Sequence, residues 1–129
     1  MTKAAKRGNK EIKFMEMVVE EIDGGVTNVI LRGRLDTAGA DSIDIKFNAV
    51  AGAKRAVVVD LSNVNLLTSL GIRVLLLGAR AVKNKGGKLV ILSPDANVRA
   101  VLTTARTDTL IPIFDDRSAA IAAVSASAG

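Results

Sequence analysis

Residues 66–71, reading Leu66, Leu67, Thr68, Ser69, Leu70 and Gly71, join a short hydrophobic run that ends in an acid, 56–60, to the most apolar helical pattern of the chain, 70–82. The hydroxyl of Ser69 stands at that junction. The free N–H groups of a helix start lie beside it, and the macrodipole there favours negative charge. Two kinds of chemistry are open to such a hydroxyl. It can cap the helix, since Ser and Thr are preferred N-caps, or it can accept a phosphoryl group.

Little else in the chain offers chemistry. Cysteine and histidine are both absent, which removes thiol nucleophiles, disulfides, the usual zinc ligand sets and imidazole acid–base catalysis. Asp36, Asp60 and the lysines form no arrangement that names a reaction, so no catalytic residue, metal or cofactor is expected. Gly24 and Gly25 follow the first strand with no G-x-G-x-x-G and no helix, and Gly86-Gly87-Lys88 enters a strand, so neither a dinucleotide fold nor a phosphate-binding loop is expected. With three Phe, no Trp and no Tyr, the chain lacks a stacking platform for single-stranded nucleic acid.

The formal charge of +5 on 129 residues owes much to Lys3, Lys6, Arg7 and Lys10. These lie in a segment, 1–13, that reads as a solvated basic tail, and no basic base-reading helix or ribbon argues for direct nucleic-acid binding. No signal-peptide core follows the tail. The longest apolar stretch is broken by Arg73 and Arg80, short of the roughly 18 residues that span a bilayer. A cytoplasmic protein with one domain, 14–124, and a frayed end, 125–129, is the expectation.

The elements that must position Ser69 follow from periodicity. Met15, Met17 and Val19 alternate with Glu16 and Glu20, as in a half-buried strand. Asp23, Gly24 and Gly25 supply a turn, and 26–32 is a second strand, closed by 33–36. Asp36 or Thr37 caps a helix in which Ala40, Ile43, Phe47 and Val50 form the apolar stripe and Asp41, Asp44 and Asn48 lie off it; Gly52 closes it. The β-branched run 56–59 reads as a central strand covered on both faces. After the helix that follows Ser69, Lys85-Gly86-Gly87 is a stop and 89–92 another buried strand, joined to the first by a right-handed parallel crossover. Ser93, Pro94 and Asp95 supply a cap, a first-position proline and an acid for a third helix. Residues 111–114 are a short or edge strand because of Pro112, and Asp115 or Asp116 caps a last helix. The sum is an α/β sandwich: a mixed sheet of about four to five strands, an N-terminal antiparallel hairpin plus parallel strands, and about four helices.

Three segments together resemble a family. They are 31–36 (Leu-Arg-Gly-Arg-Leu-Asp), 58–62 (Val-Val-Asp-Leu-Ser) and 67–76 (Leu-Thr-Ser-Leu-Gly-Ile-Arg-Val-Leu-Leu). In this order and spacing they are similar to the STAS domain, specifically the bacterial anti-sigma factor antagonists, over roughly residues 14–124. The resemblance implies a switch protein without catalytic activity. Its unphosphorylated form binds an anti-sigma factor, often a serine kinase, and so frees a sigma factor; a PP2C-type phosphatase opposes the kinase, and the protein is a monomer or weak homodimer. Ser69 matches the family's phosphorylated serine, Gly71 the glycine after it, Asp36 the acid of the helix-start loop and Asp60 the acid ending the central strand. The chain departs in carrying Thr68 where many members have an acid, which makes Thr68 a rival acceptor, and Leu70 where they have a small polar residue.

On a helical wheel Gly71, Val74, Leu75, Gly78 and Val82 face inward, Arg73, Arg80, Lys83 and Asn84 outward, and Leu76 and Leu77 border the charged stripe. Ser69, Arg73, Leu76, Leu77 and Arg80 then make a docking face, apolar with a basic rim, suited to an acidic partner. With Asp36, Asp60, Thr68, Leu70 and Gly71 they are the expected partner-binding residues. Two other readings of the same domain stand beside it: an accessory subunit of a lipid-transport ATPase, and a scaffold module of a stress-sensing assembly.

Overall fold

Gly24 and Gly25, at φ +93° and +83°, turn the chain between β1 (Met15–Ile22) and β2 (Val26–Leu35). The computed structural model describes residues 15–22 and 24–127. The expected basic tail, Asp23 of the turn and the last two residues of the expected frayed end fall outside the described residues. The hairpin is antiparallel, with Met15 opposite Gly33 and Ile22 opposite Val26. Met15 and Met17 pack against the core as the alternation requires, whereas Val19, on this outermost strand, is 42% exposed.

β2 does not close at Arg32. It runs on through Gly33, at φ +114°, because its far end pairs in parallel with β3 (Ala56–Leu67), down to Leu35 opposite Leu67. β3 likewise does not end at Asp60. Two register shifts against β2 let Leu61, Val64 and Leu67, three residues apart, all turn inward and be buried. Extra residues on a bulged strand restore an inward direction that strict alternation would have lost. Asp60 therefore lies within the strand, where pairing to β4 (Lys88–Leu92) stops.

The sheet order is β1-β2-β3-β4-β5, with β5 (Ile113–Phe114) a two-residue edge strand beyond Pro112. β1 and β2 are antiparallel and the remaining pairs parallel, which is the mixed α/β arrangement expected. Helices α1 (Thr37–Ala53), α2 (Ser69–Lys83) and α3 (Ala96–Thr104) cover one face, with Phe47, Leu75 and Leu102 against Val29, Leu31, Val57, Val59 and Leu61. α4 (Arg117–Ser125) covers part of the other, with Ala120 and Val124 over Val26, Ala56, Val58 and Val90. The continuous β-branched run of β3 thus serves both layers, as a strand buried on two faces must.

Three aspartates start helices. Asp36, Asp95 and Asp116 accept from the N–H groups of Gly39 (2.9 Å), Val98 (2.8 Å) and Ala119 (2.9 Å). Ser93 is not the cap of α3. It sits in the left-handed region at φ 51°, with its N–H on the Phe114 carbonyl (2.7 Å) and its hydroxyl on that of Asp115 (3.2 Å), so the helix begins after Asp95. α1 runs past Gly52 to Ala53. A 3₁₀ turn at Thr107–Thr109, entered through Arg106 at φ 60°, has no counterpart in the sequence reading. On the α4 side, the amide of the buried Asn28 donates to Glu20 (3.0 Å) and, with Arg117 nearby, holds that carboxyl below its ordinary value of 4.5.

α1 and α2 approach closely because Gly78 faces Phe47; a Cβ there would overlap the ring, which is 2% exposed and has no room to withdraw. Nothing lies within 4 Å of a Cβ built on Gly52. Gly78→Ala is therefore expected to lose about 1–3 kcal/mol to overpacking, despite the better helix propensity of alanine. Gly52→Ala should be neutral or gain up to about 1 kcal/mol, both read from urea unfolding midpoints and slopes.

Candidate functional site

Leu35 and Leu67 are register partners at the ends of two parallel strands, so the residues that follow, Asp36 and Thr68, are neighbouring N-caps of α1 and α2. Thr68 does not cap with its side chain. Its N–H (3.1 Å) and its hydroxyl (3.2 Å) both donate to the carbonyl of Leu35, back across the strand ends. Thr68 has the extended backbone of a cap, at φ −118° and ψ 176°. Ser69, taken from the sequence as a candidate cap, is instead the first helical residue. It is exposed, and its hydroxyl makes no hydrogen bond among the described residues.

The first bond within α2 runs from the Ile72 N–H to the Thr68 carbonyl, at 3.0 Å. Ahead of it the N–H groups of Ser69, Leu70 and Gly71 have no acceptor among the described residues, and no acid stands in the first turn. The positive end of the helix is thus left uncompensated beside a free hydroxyl. Gly71 permits this geometry: a Cβ there would lie 2.7 Å from both the carbonyl oxygen and Cγ of Leu35 and 2.9 Å from Cδ1 of Leu67. Its place is in the packing under the site, not on its surface.

From Ser69 an open cavity of about 300 Å³ follows the outer side of α2, lined by Ser69, Ile72, Arg73, Leu76, Leu77 and Arg80. A second, of about 240 Å³, lies between α1 and α2, where Asp41 and Asp44 face Leu70, Arg73 and Leu77. Arg73 lines both. Arg73 and Arg80 are exposed and form no ion pair among the described residues, while Leu77 is 44% exposed and Leu76 half-buried. The inward side of α2 is Gly71, Ile72, Val74, Leu75, Gly78 and Val82, the expected set with Ile72 added.

The carboxylate of Asp36 is engaged, one oxygen on the Gly39 N–H (2.9 Å) and the other 3.4 Å from Nε of Arg34. Asp60 stands apart. It accepts from the Ser62 N–H at 2.9 Å where β3 shifts register. At the rise of a parallel strand it lies about 20 Å before the strand end, and the alternation of Val57, Val59 and Leu61 with Ala56 and Val58 directs it to the α4 side. The other expected partner-binding residues gather around the start and outer face of α2. Asp41 and Asp44, read from sequence only as solvated positions of α1, belong to the same surface; their spacing of three on the rim of the α1 stripe was the available signal.

This placement can be compared with known proteins. The family model described as "Mlab, STAS domain" matches residues 18–112. BtrV of Bordetella bronchiseptica, whose name assigns it provisionally as an anti-sigma factor antagonist, is 31% identical over 110 residues, covering 84% of this chain and 94% of BtrV. The chain belongs to the STAS domain family. The crystal structure of an anti-sigma factor antagonist from Mycobacterium paratuberculosis superimposes on this STAS domain with a TM-score of 0.76 at 26% identity, over 85% of this chain and 93% of that one. SpoIIAA of Bacillus in its phosphorylated form shares the fold, with a TM-score of 0.65 at 18% identity over 84% of this chain and 98% of that one. The names of BtrV and of the Mycobacterium protein both place them as anti-sigma factor antagonists, provisionally so for BtrV. No helix among the described residues of the STAS domain is long and apolar enough to cross a membrane.

Because the Thr68 hydroxyl is bonded and that of Ser69 is not, the two should separate in stability. Thr68→Val is expected to cost about 0.5–1.5 kcal/mol, the net worth of one hydrogen bond. Ser69→Ala should stay within about 0.5 kcal/mol of wild type. Chemical denaturation of both variants checks the order, and the reverse order would make Ser69 the working cap.

Proposed function

We propose that this STAS domain is a phosphorylation-controlled anti-sigma factor antagonist. Its unphosphorylated form binds an anti-sigma factor that is also a serine kinase and so releases a sigma factor. Phosphorylation of Ser69 ends that binding, and a PP2C-type phosphatase restores it. The observation that carries the reading is the exposed hydroxyl of Ser69, unbonded among the described residues, at the head of an apolar groove rimmed by arginines that form no ion pair among those residues. Thr68 is the poorer acceptor. Its hydroxyl is donated to the Leu35 carbonyl, so phosphorylation there would break that bond and set a dianion against a carbonyl oxygen.

A phosphoserine adds about −1.5 to −2 charges, and the open N–H groups of α2 suit it, so the modification leaves the fold standing. The favourable dipole contribution is at most about 2 kcal/mol. Turning binding from nearly full to nearly absent takes about 5.5 kcal/mol of differential affinity. The larger part therefore arises at the interface, where a phosphate at the head of the groove adds bulk, a desolvation cost and repulsion against partner acids.

Ser69→Ala is expected to hold the anti-sigma partner permanently, and Ser69→Asp to weaken binding at least about tenfold, or 1.4 kcal/mol, with an unchanged circular dichroism spectrum. Pull-down from the native cell, followed by titration of the captured partner and phosphosite mapping, checks both. Tight binding by the Asp variant, together with no phosphate on Ser69 after incubation with the cognate kinase, would sink the switch. Co-purification with a membrane transport ATPase, or a very large particle on size exclusion, would move the domain to the accessory or scaffold role instead.

A further inference from the structure

Arg73 and Leu77 line both cavities of the site, and of the two only Arg73 carries a charge. Arg73 shares the outer cavity with Ser69 and the inner one with Asp41 and Asp44. It lies four residues after Ser69 on α2, about 6 Å along the axis, on the same face. Long side chains on a helix lean toward its N-terminus, so the guanidinium of Arg73 sweeps the turn that carries Ser69. No carboxylate among the described residues holds it: the ion pairs there join Arg32 to Glu16, Arg34 to Asp36, Lys54 to Glu21, Arg99 to Asp115 and Arg117 to Glu20. Arg80, the other cation of the outer cavity, is eleven residues from Ser69, about 16 Å along the helix, and out of reach.

We infer that Arg73 reads the state of Ser69: in the unphosphorylated domain it is the cation offered to a partner's acid beside the Asp41 and Asp44 groove, and when Ser69 carries phosphate it turns to the phosphate and is withdrawn from that role. The inference rests on Ser69 being the phosphoacceptor and names how its charge reaches the docking face. Arg presents a planar fork that suits phosphate oxygens. The modification then changes the surface in two places at once. It adds negative charge at the head of the groove and cancels a positive charge one turn along. With Arg73 neutralised, Asp41 and Asp44 face an incoming partner acid unopposed. The other charged groups near the helix start, Arg34 and Asp36, are already paired with each other at 3.4 Å.

The test uses the full chain with phosphoserine installed at position 69 during translation, so it needs no kinase. The probe is the second ionisation of the phosphate, followed by phosphorus NMR against pH, with Asp36, Asp41, Asp44 and Arg34 common to all samples. Loss of a cation that stabilises the dianion raises this pKa, which is ordinarily about 6. Arg73→Gln should raise it by about 0.3–0.7 units relative to the unsubstituted phosphoprotein. Arg73→Lys should fall between the two, since Lys keeps the charge without the fork, and Arg80→Gln should leave it in place. Coincident titrations with and without Arg73, or an equal shift from Arg80→Gln, overturn the inference.

In binding to the anti-sigma factor captured by pull-down, Arg73→Gln should weaken the unphosphorylated form and shrink the further loss caused by phosphoserine. Full additivity overturns the withdrawal. If the titrations coincide while kinase-treated protein carries phosphate on Ser69, only the role of Arg73 falls. If the titrations shift but the kinase places no phosphate there, the phosphoacceptor reading falls instead.

Discussion

The carbonyl of Leu35 accepts two hydrogen bonds from Thr68, one from its N–H and one from its hydroxyl, and the geometry of the site depends on that pair. The bonds pin the last residue of β2 to the residue that follows β3. Parallel strands alone would align the two ends only loosely, because β3 carries two register shifts before it gets there. With Thr68 facing backward, α2 has no side-chain cap, and among the described residues its first N–H groups stay open and nothing holds the hydroxyl of Ser69 on the first turn. A cap on α2 is forgone, at about 1 kcal/mol. In exchange the chain holds an unbonded hydroxyl in a fixed place.

Tight packing beneath this junction keeps it from relaxing. Gly71 lets the first turn of α2 settle directly on Leu35 and Leu67, and one row further Gly78 lets the same helix settle on Phe47. Both glycines lie seven residues apart on the inward side of the helix. The outward side carries Arg73, Leu76, Leu77 and Arg80. α2 is thus divided lengthwise: one side is committed to the core, and of the other only Leu76 packs against it while Arg73, Leu77 and Arg80 stay exposed. A change of charge on the outer side has little leverage on folding, which is the condition a binding surface needs if it is to be modified and restored repeatedly.

Much of the fold could be read from the chain because its strands and helices obey simple periods. The β-branched run of β3, the stripe of Ala40, Ile43 and Phe47, and the proline before β5 each had one physical reading, and the mixed sheet with four helices followed. The second half of β3 was not legible. Leu61, Val64 and Leu67 recur every third residue, a spacing that belongs to neither an ordinary strand nor a full helix, and only the bulges paired against β2 make it a strand. That gap misplaced Asp60 as a strand end beside Ser69, when it is an internal residue on the opposite face. The place of the helix start was missed for a similar reason. Thr68, not Ser69, stands at the N-cap position, and its hydroxyl turns to a carbonyl 33 residues earlier, which no local pattern reports.

The site residues expected on α2 share a feature that made their exposed placement legible. Arg73, Leu76, Leu77 and Arg80 lie on a helix whose inward face is strongly marked, so the outward face is known by subtraction. Asp41 and Asp44 were passed over because solvated acids on an outer helix face are the ordinary case, and nothing in α1 says that α2 will bring an unpaired arginine opposite them. Sequence periodicity identifies which side of each element is buried; it does not identify which exposed sides meet. On this domain the meeting of two such sides, α1 with its acids and α2 with its arginine, lies one turn from the hydroxyl left free by Thr68. If the proposed switch operates here, a single charge change at that point acts on both helices' exposed sides by proximity alone.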